Sequence, residues 1–154
     1  MMLKTTSQLH FDQVDRHFPL QKQDHVGVSS AEVVDLFGSV SPLGIWRLVI
    51  ETGQVFWSED AARVHGMKGS DGPVNLKDIL AVYHPEDAEI VQQLVSAMTT
   101  QRNGFRFVLR VKGGNGGYRL IATAGRFRDE NGGGLIGYCH EYDDFVRSIV
   151  LTGE

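Results

Sequence analysis

The chain has 154 residues, a formal net charge of −4, 42% hydrophobic residues and 22% charged residues. That length accommodates one ordinary domain and not two, and the balance of apolar to charged residues is that of a folding chain. An acidic chain also lacks the basic excess that counterion release rewards, which argues against nucleic acid as a partner.

The longest apolar runs, such as Leu48-Val49-Ile50, are far shorter than a bilayer span. The N-terminus lacks the basic-then-apolar order of a secretory signal. The lone cysteine, Cys139, has no partner for an internal disulfide and suits a reducing compartment. A soluble, cytoplasmic protein with no membrane contact is expected.

Residues 1–39 read as an N-terminal extension with one or two short helices. Phe11, Val14 and Phe18 share one helical face, with Ser7 as a cap and Pro19 as a stop. Ser29-Ser30-Ala31-Glu32 matches a capping box ahead of Val33, Val34, Leu36 and Phe37, and Gly38 can end that helix. From Gly44 the pattern becomes extended. Ile45 to Ile50 is β-branched and aromatic, Glu51 to Gln54 turns, and Val55-Phe56-Trp57 returns as a hairpin. Ser58 caps a short helix from Glu59 to His65, with Gly66 after its end.

Lys68 to Val74 reads as a loop, and Leu76, Ile79, Leu80 and Tyr83 then fall at helical spacing. His84-Pro85-Glu86-Asp87 opens the longest helix, with Val91, Leu94, Val95 and Met98 as its apolar stripe. Phe105, Phe107, Leu109 and Val111 alternate with Arg106, Val108 and Arg110, so the first set faces the helices. Gly113 to Gly117 permits a turn with positive φ, and strands follow at Tyr118–Arg128 and Leu135–Tyr142. Two strands, several helices and a three-stranded meander make an α+β domain with its helices on one face of an antiparallel sheet.

Gly44-Ile45-Trp46, Glu51-Thr52-Gly53 and Trp57-Ser58 resemble the opening hairpin of PAS domains, in particular the third PAS subfamily. His84-Pro85-Glu86-Asp87 is similar to that subfamily's H-P-D-D segment. Phe105 to Arg110, the glycine hairpin, Tyr118-Arg119-Leu120, Gly125, Asp129 and Gly137 follow the remaining pattern in order. The resemblance runs from about Val40 to Asp144, which gives a PAS domain at 40–144 and a C-terminal tail at 145–154. It implies a five-stranded sheet in spatial order 2-1-5-4-3, with the helices forming one wall of a pocket. It also implies small-ligand or redox sensing, dimerisation, and relay to an output protein. The family's closing Asp-Ile-Thr is replaced here by Glu141-Tyr142-Asp143, and only about ten residues follow. A signalling protein partner in trans is therefore expected.

No catalysis is expected, because nothing near His84 supplies a nucleophile and base. The resemblance would put a haem-ligating histidine in the long helix, and Ile90 to Met98 has none. His10, His17, His25, His65, His84 and His140 read as surface or hydrogen-bonded histidines, and Met98 as core. The cysteine segment of flavin-binding relatives is absent, and Cys139 reads as a small buried hydrophobe. No metal site is expected, since His140 and Glu141 are strand neighbours that point opposite ways. Gly113 to Gly117 leads into a strand and is no phosphate cradle. Arg106 and Arg110 share a face that Arg119 joins across the hairpin, either as a solvated face or as a patch for an acidic partner.

Trp46, Leu48 and Ile50 fall on one face of the first strand. With Leu94, Val95, Met98, Phe105, Phe107 and Leu109 they form either a packed core or a pocket for a small organic ligand. The opposite face carries Ile45, Val49 and Val108 among arginines. Together with Val33, Val34, Leu36 and Phe37 these form a dimer or partner surface, with Ala31 to Phe37 expected to cover it. Two readings follow: a PAS signalling module acting by protein contact and homodimerisation under a small apolar ligand, without a cofactor, or a haem- or flavin-loaded redox or gas sensor. The sequence names neither ligand nor partner.

Overall fold

The computed structural model describes residues 20–130, 133–143 and 147–153. The candidate helix at Phe11 to Phe18, with His10 and His17, lies outside them. A 3-10 turn at Asp24–Val26 precedes helix α1, Ser30–Val40. The capping box forms as the sequence suggests: Ser29 Oγ accepts from Glu32 N–H, and Glu32 accepts from Ser29 N–H at 2.9 Å. The Ser29 backbone N–H, with the Ser29 hydroxyl beside it, holds the Glu32 carboxyl below its ordinary pKa. The helix runs through Gly38 and ends at Ser41, which takes an extended conformation. Glycine terminates a helix only where the chain turns left-handed, and Gly38 does not.

Strands β1 (Leu43–Val49) and β2 (Gln54–Trp57) form the expected hairpin, with Trp46 opposite Trp57. Ser58 caps α2 (Glu59–Val64), and its hydroxyl also accepts from Ile45 N–H, tying the helix start to β1. Two further helices follow, α3 (Leu76–Leu80) and α4 (Pro85–Gln101). His84 caps α4 through Nδ1, which accepts from Glu86 N–H at 3.1 Å. Its role is structural. Strands β4 (Gly104–Lys112), β5 (Tyr118–Arg128) and β6 (Gly134–Glu141) make the meander.

The sheet has six strands rather than five, in order β3-β2-β1-β6-β5-β4. The addition is β3, Val74–Asn75, which pairs with Gln54 and Val55 at the sheet edge where a loop was expected. Two residues cannot display an alternation, so β3 exists only because tertiary contacts place it. Leu76 N–H donates to Gly53 C=O at 2.9 Å and holds the crossing. At the other end β6 stops at Glu141, although Tyr142 N–H still donates to Leu120 C=O.

Buried Leu48, Val55, Ile79, Leu80, Ile90, Val91, Leu94, Met98, Leu109 and Ile121 pack between sheet and helices. Phe107, Leu109 and Val111 are buried toward the helices, and Phe105 packs partly buried against the same core. The start of α4 is locked to β4 by charge. Asp87 accepts from Arg110 N–H at 2.8 Å, Nε at 3.0 Å and an Nη at 2.7 Å. Burial works against the Asp87 carboxylate, yet Arg110 holds its pKa below the ordinary value. Arg110 is thus an internal partner, not part of a free arginine face. Arg119 pairs with Val111, on the face opposite Arg106 and Arg110, so the expected three-arginine patch does not form.

Candidate functional site

One row of paired residues crosses five strands in a single register. Trp57 pairs with Trp46, Trp46 with Gly137, Gly137 with Gly125, and Gly125 with Phe105. Paired residues share a face, so this row lies on the inner surface with Leu48 and Phe107. Gly125 and Gly137 leave a flat stretch of backbone at its centre, and the Trp46 indole lies over both. A Cβ at Gly125 would meet its ring at 2.7 Å, and one at Gly137 would meet it at 2.5 Å.

From this row a chain of rings runs from Trp46 round to Trp57. Trp46 stacks with Phe105 at 6.2 Å, and Phe105 with Phe107 at 5.8 Å. Phe107 meets Tyr83 edge-on at 6.3 Å, Tyr83 lies 5.7 Å from the His65 ring, and His65 lies 5.1 Å from Trp57. His65 Nδ1 is 2.8 Å from Ala61 C=O, so Nδ1 carries the proton, and Nε2 accepts from Tyr83 O–H at 3.0 Å. Desolvation pushes the His65 pKa down to about 4 and pushes the Tyr83 phenol up, so both are neutral near pH 7.

Four buried polar atoms among the described residues have no hydrogen-bond partner: Trp46 Nε1, Trp57 Nε1, Thr123 Oγ1 and Gln93 Oε1. Thr123 pairs with Phe107 and with Cys139, so its hydroxyl belongs to the same inner surface. It approaches the Tyr83 phenol without closing a hydrogen bond to it. Buried polar groups are usually satisfied, so these two indole N–H donors, one hydroxyl and one acceptor oxygen are exceptions. Cys139 is buried, and desolvation raises its thiol to about 12. It sits against Gly44, where a Cβ would come within 2.6 Å of its sulfur.

Of the expected pocket residues, Leu48, Leu94, Met98, Phe107 and Leu109 are in the buried core, and Trp46, Val95 and Phe105 pack against it. Ile50 does not join them, because it lies in the turn after β1. Sequence reasoning missed Trp57, His65, Tyr83 and Thr123. Trp57 was within reach, since the hairpin register sets it beside Trp46.

On the outer face Ile45, Phe56, Leu120 and Tyr138 are exposed, while Val49 and Val108 are partly buried by their neighbours. Arg47 lies 4.4 Å over the Phe56 ring. Helix α1 buries none of its residues, and Val33, Val34, Leu36 and Phe37 stay exposed. The expected cover of the outer face by Ala31 to Phe37 is therefore not made within the chain. Among the described residues no three His, Cys, Asp or Glu side chains group as a metal site. No described helix is long and apolar enough to cross a membrane.

An antiparallel sheet with short helices and one long helix across its inner face makes an α+β module. The family model for the PAS fold matches residues 54–138, and the chain belongs to that family of sensory domains. No curated protein matches it in sequence. Among solved structures it is similar to the N-terminal domain of a diguanylate cyclase with PAS/PAC sensor from Marinobacter aquaeolei. That match has 19% identity and a TM-score of 0.55, and covers 64% of this chain and 94% of that one. A sensory box histidine kinase/response regulator from Burkholderia thailandensis matches at 19% identity and TM-score 0.55, over 70% and 82% of the two chains. The PAS domain of Bordetella pertussis BvgS matches at 15% identity and TM-score 0.50, over 75% and 88%. At these identities the likeness carries the fold alone.

Proposed function

We propose that the chain is a cytoplasmic sensory module that signals by binding another protein and by self-association, gated by a small ligand at the inner face. The observation that carries this is a pair of unsatisfied apolar surfaces in one chain. The outer sheet face exposes Ile45 by 49% and Tyr138 by 42%, while α1 exposes Leu36 by 67% and Phe37 by 62%. Contiguous apolar surface of this kind is costly in water and marks an interaction site. Only Ser41 and Pro42 separate α1 from β1, so an α1 that leaves its own sheet uncovered is placed to meet a second copy. An isologous exchange, each α1 on the other's outer face, buries both surfaces at once.

Light scattering on the full chain tests the self-association. The expected result is a dimer that the double substitution Leu36→Asp, Phe37→Asp converts to a monomer without loss of secondary structure. A wild-type chain that is monomeric at millimolar concentration refutes this part of the proposal.

A further inference from the structure

We propose that Asn115 is a built-in modification site, which loses its side-chain amide through a cyclic imide with Gly116 and so places a carboxylate at the tip of the β4–β5 hairpin. The sequence holds three Asn-Gly pairs: Asn103-Gly104, Asn115-Gly116 and Asn131-Gly132. The last lies outside the described residues. The fold treats the other two differently, and that difference carries the assignment.

The reaction needs the backbone nitrogen of the following residue to swing onto the asparagine Cγ. Glycine favours it, having no Cβ in the way and a backbone free to adopt angles closed to other residues. Asn103 and Asn115 are both exposed, so access to water does not separate them. Their backbones do. Asn103 C=O accepts from Phe127 N–H at 3.1 Å, and Gly104 begins β4 paired with Arg126. The Gly104 nitrogen belongs to the same peptide group as that carbonyl, so it cannot swing until the bond and the strand end open.

Asn115 stands in a glycine loop closed by one bond, from Gly113 N–H to Gly117 C=O at 2.7 Å. Among the described residues, Gly116 N–H has no well-formed backbone acceptor. Gly116 already takes a positive φ of 76°, and a Cβ at Gly114, Gly116 or Gly117 would meet nothing within 4 Å. The peptide group after Asn115 is thus free to turn with the rest of the sheet intact.

In the first step the Gly116 nitrogen gives its proton to solvent and bonds to Asn115 Cγ. The bond from Cγ to the side-chain nitrogen breaks, and that nitrogen leaves as ammonia. Water then opens the imide at either carbonyl. One opening gives aspartate; the other gives isoaspartate, whose main chain runs through Cγ and is one carbon longer. No oxidant or reductant takes part. The product adds negative charge to a chain already at −4, in the turn between Lys112 and Arg119.

The test holds the full chain at pH 8 and follows each asparagine by mass spectrometry of tryptic peptides. Cleavage after lysine and arginine puts Asn103 in 103–106, Asn115 in 113–119 and Asn131 in 129–147, so the three are read separately. Digestion in oxygen-18 water marks any amide lost during the digest itself. In the folded chain Asn115 should lose its amide roughly tenfold faster than Asn103, a ratio that opening about one net hydrogen bond supplies. In urea sufficient to unfold the chain the two rates should converge. Equal rates in the folded chain, or a faster Asn103, overturn the assignment. A gap that persists in urea overturns its structural cause. Aspartate and isoaspartate should appear together at Asn115; aspartate alone overturns the imide route.

Discussion

Lowering the pH from 7 to 5 should destabilise this protein through one buried imidazole. His65 titrates near the ordinary 6.5 when unfolded and near 4 in the fold, where desolvation disfavours the cation. Protonating Nε2 would end its acceptance from Tyr83 O–H and force the phenol to turn and accept instead. The unfolded chain therefore binds a proton that the folded chain refuses. Stability from this group is complete above pH 6.5 and is lost as pH falls toward 4. By linkage the loss is about 2 kcal/mol at pH 5 and about 3 kcal/mol at pH 4. That is a large share of a typical domain's stability. Urea unfolding followed by tryptophan fluorescence at pH 7, 6 and 5 measures it. His65→Gln offers an amide that can donate to Ala61 C=O and accept from Tyr83 without titrating. Its baseline stability should be lower but nearly flat over the same range. An equal slope in wild type and His65→Gln, or no slope in wild type, refutes the assignment.

Four further outcomes are expected. Phe107→Ala should cost about 3–5 kcal/mol in chemical denaturation, because the ring is buried against Phe105 and Tyr83. Asp87→Asn should cost about 2–3 kcal/mol in the same assay. The Asp87 side chain is 5% exposed and its charge is matched by three donors of Arg110. Cys139, with its thiol raised to about 12 by burial, should resist iodoacetamide at pH 8 and react at once in denaturant; fast labelling of the native protein would contradict the burial. Purified protein should show no Soret or flavin band after dialysis, since α4 carries no histidine and the chain no flavin-type cysteine segment. A stoichiometric band would favour the cofactor-loaded reading.

Much of the fold is local and was legible in the sequence. The capping box at Ser29 and Glu32, the Ser58 cap and the His84-Pro85 helix start each need only a few adjacent residues, so their signals survive without tertiary context. The alternation of Phe105, Phe107, Leu109 and Val111 gave the buried face of β4 because the side-chain period of a strand is two. The ordered set of such pieces was enough to mark the PAS resemblance.

Other features depend on partners distant in the chain. Strand β3 is two residues long and exists only where Val55 is presented to it. Arg119 and Arg110 look alike in sequence, but the β4–β5 register sends them to opposite faces, and only Arg110 finds Asp87. The candidate site is of the same kind. Trp46, Gly137, Gly125 and Phe105 span 92 positions from Trp46 to Gly137 in the numbering and become neighbours through three separate strand pairings. His65 and Tyr83 meet across a helix end and a loop, and only burial makes that imidazole neutral. Composition and spacing determined which segments are helix, strand and core. The register of the sheet decided which rings share a face, because a shift of one residue sends every side chain of a strand to the other side.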